Sequence, residues 1–341
     1  MPIQKATAEA PSNLAFVKYW GKKDSALRIP TNNSISMNLS NAKTITSVEF
    51  NEAFTEDKVI FKSTGEEAGR GYTARVSEYL DRVREMAGVS TQALVVTENT
   101  FPESVGIASS ASGFAALSVA AAAAVGLELS EKELSILARL GSGSACRSIP
   151  SGFVEWEAGV DNETSFARQI APPDHWDISI VTVIVSTETK KISSTLGHQL
   201  ALKSPFFEAR IKTLEARLKT VRGAILSKDF ELFGREIELE AISLHMIAMT
   251  SPYEGANWNS GAYYWTPETM ELILAVQEWR VKGVETYFTL DAGPTVHLLC
   301  RRTEEEKIIN AVRTLENSQP GRSWEILINH PAVGARVIDR G

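Results

Sequence analysis

Small residues and hydroxyl groups fill the segment Pro102–Ser112 (PESVGIASSAS), which precedes an alanine-rich run. Glycine and small side chains let backbone N–H groups approach an anion closely, and the start of the following helix adds a positive dipole. Ser109 and Ser110 supply hydroxyls that can reach a phosphate oxygen or a magnesium ion. The segment is neither a Walker loop nor a dinucleotide fingerprint. It indicates a phosphate site, although serines that only cap a helix would give the same pattern.

Two further segments concentrate positive charge in a chain that is acidic overall. Residues 13–23 (NLAFVKYWGKK) bring three lysines and two aromatic rings together within six positions, and residues 141–148 (GSGSACRS) combine Arg147 with Ser142 and Ser144. An arginine fork suits carboxylates and phosphates, so both segments are candidate anion sites. Each also has a structural interpretation, the first as an edge strand with exposed lysines and the second as a capped turn.

Asp291 and the segment 190–195 add a carboxylate and more phosphate-binding groups. Asp291 lies between two apolar strands within residues 287–300 and can hold a substrate hydroxyl, although aspartate and glycine are also usual in hairpin turns. Residues 190–195 (KKISST) follow a β-branched strand and offer ammonium and hydroxyl groups to a polyphosphate, or form a polar loop. The five histidines lack metal-ligand spacing, and His245 fits a helical apolar pattern as a structural residue.

Composition narrows the class of protein. The 341 residues are 43% hydrophobic and 23% charged, which suits a globular protein of two domains. A net charge of −7 disfavours nucleic acid and membrane surfaces as partners. The two cysteines form no disulfide or zinc pattern, and no apolar segment is long enough for a signal peptide or a membrane span. We therefore expect a cytoplasmic protein.

Strands and helices are mixed without regular βαβ alternation, which predicts an α+β fold. Periodicity predicts a hairpin over 44–62, a helix over 71–87, a strand over 93–99, an alanine-rich buried helix over 111–127, a strand over 178–186 and broken helices over 205–250. Ser130 and Glu133 predict a capping box, and Thr266 with Pro267 predicts a helix start. The predicted domains are residues 1–186 and 187–341.

Five segments lie in order along almost the whole chain: NLAFVKYWGK (13–22), NTFPESVGIASSASGFAAL (99–117), ARLGSGSACRS (138–148), KKISSTLG (190–197) and TLDAGPTVHLL (289–299). Together they resemble the mevalonate diphosphate decarboxylases of the GHMP kinase superfamily. The resemblance implies an N-terminal α/β lobe and a C-terminal ferredoxin-like lobe around a central cleft. It also implies that ATP phosphorylates the 3-hydroxyl of a 5-phosphorylated mevalonate, after which phosphate and CO2 leave.

The resemblance further implies roles for individual residues. Asp291 would orient and deprotonate the 3-hydroxyl, Lys18 would hold Asp291 ionised, and Arg147 would clamp the substrate carboxylate. The implied substrate-binding residues are Tyr19, Lys22, Ser142, Ser144, Arg147, Ser194 and Thr195. The implied ATP-binding residues are Asn99, Ser104, Gly106, Ala108, Ser109, Ser110 and Lys191, with Mg2+ held through Ser109 or Ser110. A homodimer is also implied.

Three positions differ from the usual pattern of that family. The loop reads SVGIASS rather than AAGLASS, His198 stands where methionine is common, and Thr195 stands where some bacterial members have arginine. These positions leave two substrates open, the favoured 5-diphosphate and the 5-monophosphate. A mevalonate 3-kinase without decarboxylation and a non-catalytic nucleotide-binding protein are the rival functions, and the presence of Asp291 and Lys18 argues against both.

Overall fold

The computed structural model describes residues 5–101, 109–188, 192–253 and 261–341. The strands are β1 (Lys5–Val17), β2 (Lys22–Asp24), β3 (Ile29–Pro30), β4 (Ser34–Asn51), β5 (Lys58–Phe61), β6 (Glu66–Glu67), β7 (Gln92–Asn99), β8 (Phe153–Trp156), β9 (Ala167–Ala171), β10 (Ile178–Ile184), β11 (Tyr287–Thr289), β12 (Val296–Arg301), β13 (Glu325–Asn329) and β14 (Arg336–Asp339). The helices are α1 (Arg70–Ala87), α2 (Ser109–Ala124), α3 (Glu131–Gly141), α4 (Ser194–Leu200), α5 (Phe207–Ser227), α6 (Phe230–Thr250), α7 (Pro267–Val281) and α8 (Glu305–Glu316). The predicted α+β class is confirmed.

A large mixed sheet is built from strands of the first half of the chain and from the C-terminal strand β14. Its strands follow the order β14-β1-β4-β7-β5-β6, and β8 and β9 extend it from β4. Helix α2 packs against β1 and β4, and almost every residue from Ala111 to Ala124 is buried. Alanine side chains let a helix lie close to a sheet, so the alanine-rich run positions the start of α2 firmly over the sheet. The predicted buried helix is therefore confirmed.

The predicted hairpin over residues 44–62 is wrong, although both of its strands exist. Strand β7 lies between them, antiparallel to β4 and parallel to β5. The carboxylate of Asp57, just before β5, accepts a hydrogen bond from the backbone N–H of Ala93 (2.7 Å) and pairs with Arg84 of α1. These contacts attach β5 to β7. Alternating apolar residues identify strands but do not identify their partners.

The second half contains a separate four-stranded antiparallel sheet with the order β11-β12-β10-β13. Helices α4 to α7 connect β10 to β11, and α8 connects β12 to β13, which is the β-α-β-β-α-β arrangement of a ferredoxin-like lobe. Helices α5 and α6 are separated at Lys228, in the left-handed conformation, and Asp229, which caps α6. The predicted break and the predicted lobe are both confirmed.

An apolar core joins the two halves where the site forms. Phe16 of β1 makes an edge contact with Phe233 of α6, with ring centroids 4.9 Å apart, and Met37 belongs to the same buried cluster. The predicted domain limit after residue 186 stays a prediction. Because β10 shares its sheet with β12 and β13, we propose that it belongs to the C-terminal domain.

Local signals at the helix ends behave as predicted. Ser130 and Glu133 form the capping box of α3, and Thr266 caps α7 with Pro267 as its first residue. In the described residues, no helix is both long enough and apolar enough to cross a membrane.

Candidate active site

A cavity of about 370 Å³ lies where the two halves meet. Its lining includes most of the residues that the sequence singles out, namely Lys18, Tyr19, Lys22, Ser109, Ser110, Ser142, Ser144, Arg147, Ser194, Thr195 and Asp291. These residues come from the segment between the end of β1 and the start of β2, the start of α2, the turn after α3, the start of α4 and the turn after β11. The fold therefore brings five separate chain segments to one site.

Lys18 and Asp291 form an ion pair inside this cavity. Lys18 Nζ lies 2.8 Å from Asp291 Oδ1, and it also donates to the backbone carbonyl of Ala15 (2.6 Å). The lysine side chain is 1% exposed, whereas the aspartate side chain is 25% exposed. One carboxylate face is therefore open to a molecule in the cavity while the ammonium group is not.

Burial and the neighbouring charges have opposite effects on the pKa of Lys18, and likewise on the pKa of Asp291. Burial alone would raise the pKa of Asp291, but the charges of Lys18, His297 and Arg147 outweigh it, and the pKa falls below its ordinary value. Burial lowers the pKa of Lys18, opposed by Asp291 and Glu240. At neutral pH, Asp291 is therefore an ionised carboxylate that can accept a proton or a hydrogen bond.

The backbone of Lys18 is fixed by residues that the sequence analysis did not identify. Its N–H donates to Glu240 Oε1 (3.1 Å), and its carbonyl accepts from Arg210 Nη2 (3.2 Å) and Asn32 Nδ2 (3.0 Å). Glu240 and Arg210 also pair with each other across α5 and α6. The only sequence signal is a pair of charged residues on otherwise apolar helix faces, which by itself does not reveal their partner.

Arg147 is buried among neutral partners in the turn after α3. Its Nε donates to Asn13 Oδ1 and Ser36 Oγ (both 3.1 Å), and its Nη1 donates to Ser34 Oγ (2.8 Å). No carboxylate of the described residues lies within ion-pair distance of this guanidinium. Its positive charge is therefore oriented but not neutralised, which suits an incoming anion.

Lys22 belongs to a cationic group with Arg28 and Arg75, and neither arginine lies in a motif that predicted the site. Arg28 Nε donates to the carbonyl of Leu140 (2.8 Å), and Arg75 Nη2 donates to that of Gly141 (3.0 Å), so both are held at the end of α3. Burial and the charges of Arg28 and Arg75 lower the pKa of Lys22. Cations held this close together favour a multiply charged anion.

Tyr19 and two glycines shape the wall between these groups. A Cβ at Gly143 would lie 2.8 Å from Tyr19 Oη, and a Cβ at Gly197 would lie 2.5 Å from the Trp20 ring. Burial raises the pKa of Tyr19, so its phenol stays protonated. Ser194 and Thr195 begin α4 on the same wall and are exposed. Glycine is thus needed at 143 and 197 because aromatic rings contact the backbone there.

The nucleotide side of the predicted site is described only in part. Ser109 and Ser110 begin α2, and Ser142 Oγ donates to Ser110 Oγ (3.3 Å). Asn99 ends β7 outside the cavity lining, where its Oδ1 lies 2.7 Å from Thr44 Oγ1. The other predicted ATP-binding residues, Ser104, Gly106, Ala108 and Lys191, lie outside the described residues.

Magnesium was predicted to bind through Ser109 or Ser110. Within the described ranges there is no group of three or more His, Cys, Asp or Glu side chains that could hold a metal ion. Magnesium often keeps water ligands and takes further oxygens from nucleotide phosphates. Hydroxyls at the start of α2 fit such an ion as additional ligands.

The fold and the cavity define an enzyme of the GHMP kinase type that handles a multiply charged anion beside an ionised aspartate. Residues 10–167 match the family model "Diphosphomevalonate decarboxylase-like N-terminal domain". Residues 180–331 match the model "Mevalonate 5-diphosphate decarboxylase C-terminal domain". The chain belongs to the diphosphomevalonate decarboxylase family.

Individual relatives agree with this assignment. A diphosphomevalonate decarboxylase from Ganoderma lucidum is 34% identical over 92% of this chain and 82% of the relative. A phosphomevalonate decarboxylase from Haloferax volcanii is also 34% identical, over 90% of this chain and 92% of the relative. The matched relatives therefore include two substrate classes that differ by one phosphate.

Solved structures match almost the whole chain. Mevalonate diphosphate decarboxylase from Staphylococcus aureus is 36% identical, with a TM-score of 0.90 over 98% of both chains. A second structure, a complex with MVAPP, AMPPCP and magnesium, is 33% identical, with a TM-score of 0.88 over 98% of this chain and 99% of that one. The predicted two-lobed fold is thus confirmed.

Proposed function

We propose that this chain catalyses the ATP-dependent decarboxylation of mevalonate 5-diphosphate in the mevalonate pathway of isoprenoid biosynthesis. The products are isopentenyl diphosphate, ADP, phosphate and CO2. The observation that carries the proposal is the Lys18–Asp291 pair, whose carboxylate opens into a cavity lined by further cations. The similar structure with MVAPP, AMPPCP and magnesium supports the same substrates and Mg2+.

The first chemical step needs a base at the tertiary 3-hydroxyl of the substrate. Asp291 fits this role because it is ionised, partly exposed and oriented by Lys18. Its carboxylate accepts the hydroxyl proton as the oxygen attacks the terminal phosphorus of ATP. The bond between that phosphorus and the β-phosphate oxygen breaks, and ADP leaves with its electron pair. Lys18 acts by holding the carboxylate ionised and in place, and Glu240 and Arg210 fix the Lys18 backbone.

Loss of CO2 follows from the electronics of the phosphorylated substrate. The C3–O bond to phosphate breaks, the electrons of the C1–C2 bond form the C2=C3 double bond, and CO2 leaves. No base is needed at this stage, so the task of the protein is positioning and electrostatics. Arg147 suits the substrate carboxylate, because its fork is fixed by Asn13, Ser34 and Ser36 without losing its charge.

The remaining residues are assigned to the two phosphorylated ends. Lys22, with Arg28 and Arg75, would hold the 5-diphosphate. Tyr19, Ser142, Ser144, Ser194 and Thr195 would complete the substrate site. Ser109 and Ser110 would contact ATP phosphates and Mg2+, and Asn99, Ser104, Gly106, Ala108 and Lys191 are the further proposed ATP-binding residues. A bound magnesium ion supplies charge neutralisation to the transferred phosphoryl group.

The 5-monophosphate is the second candidate substrate. The Haloferax volcanii phosphomevalonate decarboxylase supports this candidate, because it is as similar to this chain (34% identical) as the Ganoderma lucidum diphosphomevalonate decarboxylase is. The group formed by Lys22, Arg28 and Arg75 favours the diphosphate, because three cations match its larger charge.

Steady-state kinetics with both substrates tests this proposal. With carboxyl-labelled substrate, Mg2+ and ATP, we expect labelled CO2 from the 5-diphosphate and a kcat/KM at least about tenfold lower for the 5-monophosphate, the equivalent of about 1.4 kcal/mol. Formation of a stable 3-phosphate without CO2 would identify a kinase instead. The reverse substrate preference would support the monophosphate function.

The pH dependence of kcat/KM should reflect the Lys18–Asp291 pair. Asp291 must be ionised, and its pKa lies below the ordinary 3.8, so the acid limb should fall below that value. The pKa of Lys18 lies below the ordinary 10.5, so Lys18 loses its charge at a lower pH than lysine usually does. Activity should fall over the same pH range. In Lys18→Met, burial of Asp291 is opposed by His297 and Arg147 without the lysine, so the pKa of Asp291 rises and the acid limb moves upward. An unchanged acid limb in that variant would contradict the assignment.

A cytoplasmic location and a homodimeric state are also proposed. The free and buried thiols of Cys146 and Cys300 support a reducing compartment. Exposed apolar side chains at Leu239, Ile242 and Met246 of α6 support contact with a second copy of the chain.

A further inference from the structure

His198 is a cavity-lining histidine that the proposed mechanism does not use. It lies on α4, and the missing side chain of Gly197 lets that helix contact Trp20. The imidazole is stacked beside two rings, with centroids 4.1 Å from Tyr19 and 4.6 Å from Trp20. The position of its ring is therefore held by two aromatic neighbours.

The hydrogen bonds of His198 identify its tautomer. The backbone N–H of Gly21 donates to His198 Nδ1 at 3.0 Å, so Nδ1 carries no proton. Burial, together with the charges of Lys22, Arg147 and Arg28, lowers the pKa of His198 to about 3. A neutral imidazole with an acceptor at Nδ1 must carry its proton on Nε2. His198 therefore presents one neutral N–H donor.

That donor is available to a molecule in the cavity. Among the described residues, Nε2 of His198 has no hydrogen-bond partner. It is also not one of the fully buried polar atoms without a partner, so it is accessible. The residue lines the same cavity as Lys22, Arg28 and Arg147. His198 therefore lies in the same cavity as the groups assigned to anionic parts of the substrate.

We propose that His198 Nε2 donates a hydrogen bond to the phosphorylated arm of the substrate and contributes to its selection. This inference rests on the proposed function, since it names a further substrate contact in that site. The lysine and arginines attract any anion at long range, whereas an N–H on a ring packed against Tyr19 and Trp20 favours one oxygen position. His198 thus orients the phosphorylated arm, whereas the lysine and the arginines supply the electrostatic attraction.

Three substitutions distinguish the role of His198 Nε2 from that of Nδ1. Glutamine places an N–H donor near the position of Nε2, asparagine places an acceptor near Nδ1, and methionine keeps the bulk without either. If Nε2 binds the substrate, His198→Gln should keep KM for the phosphorylated mevalonate within about threefold of the native value. His198→Asn and His198→Met should raise it about tenfold or more, with kcat changed less. The KM for ATP should not change in any of the three variants.

A structural role for the Nδ1–Gly21 hydrogen bond predicts the reverse order. His198→Asn would then be close to native and His198→Gln impaired, and that order would overturn the proposal. Circular dichroism and thermal unfolding establish that each variant is folded. Calorimetric titration with inorganic pyrophosphate adds a test that needs no turnover, with weaker binding expected in His198→Asn and His198→Met only. Equal pyrophosphate affinity in all four proteins would also overturn it, whereas absence of CO2 release by the native enzyme concerns the proposed function instead.

Discussion

Replacing Asp291 with asparagine is expected to lower kcat by about 10³-fold or more, because the amide cannot accept the proton of the 3-hydroxyl. The change keeps the size of the side chain but removes the negative charge that lies 2.8 Å from Lys18 Nζ. Lys18 then stays buried without its carboxylate, so part of the loss comes from disorder of the pair. Binding of ATP should change little, since the loss is in the chemical step. Single-turnover measurement of labelled CO2 checks the result.

A matched control is Asp174→Asn, which makes the same chemical change at an exposed position outside the cavity. It should leave kcat within about twofold of the native value, because most substitutions at exposed positions have small effects. If Asp291→Asn kept more than about a tenth of native kcat, general-base catalysis by Asp291 would be ruled out, because such a base contributes at least about 10²-fold. Circular dichroism establishes that the variant is folded.

Short motifs predict those site residues whose neighbours in the sequence indicate their chemistry. Lys18, Arg147 and Asp291 each stand in a run of small or aromatic residues at the end of a strand or helix, and all three line the cavity. Burial of Lys18 was not predictable from its segment, which also fitted an edge strand with exposed lysines. It depends on α5 and α6, more than 190 positions away in the chain.

Arg28 and Arg75 were missed for a related reason. Arg75 lies in an amphipathic helix and Arg28 in a short polar loop, where arginines are ordinary surface residues. Both become part of the site only because carbonyls at the end of α3 accept their hydrogen bonds. The partner of β4 was unpredictable in the same way, since β7 inserts beside it from about 40 residues later. Tertiary contacts, and not local pattern, decide these features.

Replacing Glu240 with alanine is expected to lower the free energy of unfolding by about 3–5 kcal/mol, the range for removing one partner of a buried ion pair. Glu240 and Arg210 are both 0% exposed, and Glu240 Oε2 also accepts from Arg217 Nη1 at 2.8 Å. The substitution leaves the Arg210 charge buried and the N–H of Lys18 without its acceptor. Activity should fall as well, because Lys18 then holds Asp291 less firmly.

Two comparisons make this prediction specific to the buried pair. Glu231→Ala, which removes an exposed partner of Arg235 on the same helix, should cost less than about 1 kcal/mol in urea unfolding. The double variant Glu240→Leu with Arg210→Met should recover most of the lost stability, because apolar residues of similar size can replace a buried ion pair. It should not recover kcat, since neither new side chain can hold the Lys18 backbone. Recovery of both would show that Glu240 serves stability alone, whereas recovery of stability without activity places Glu240 and Arg210 in the support of the Lys18–Asp291 pair.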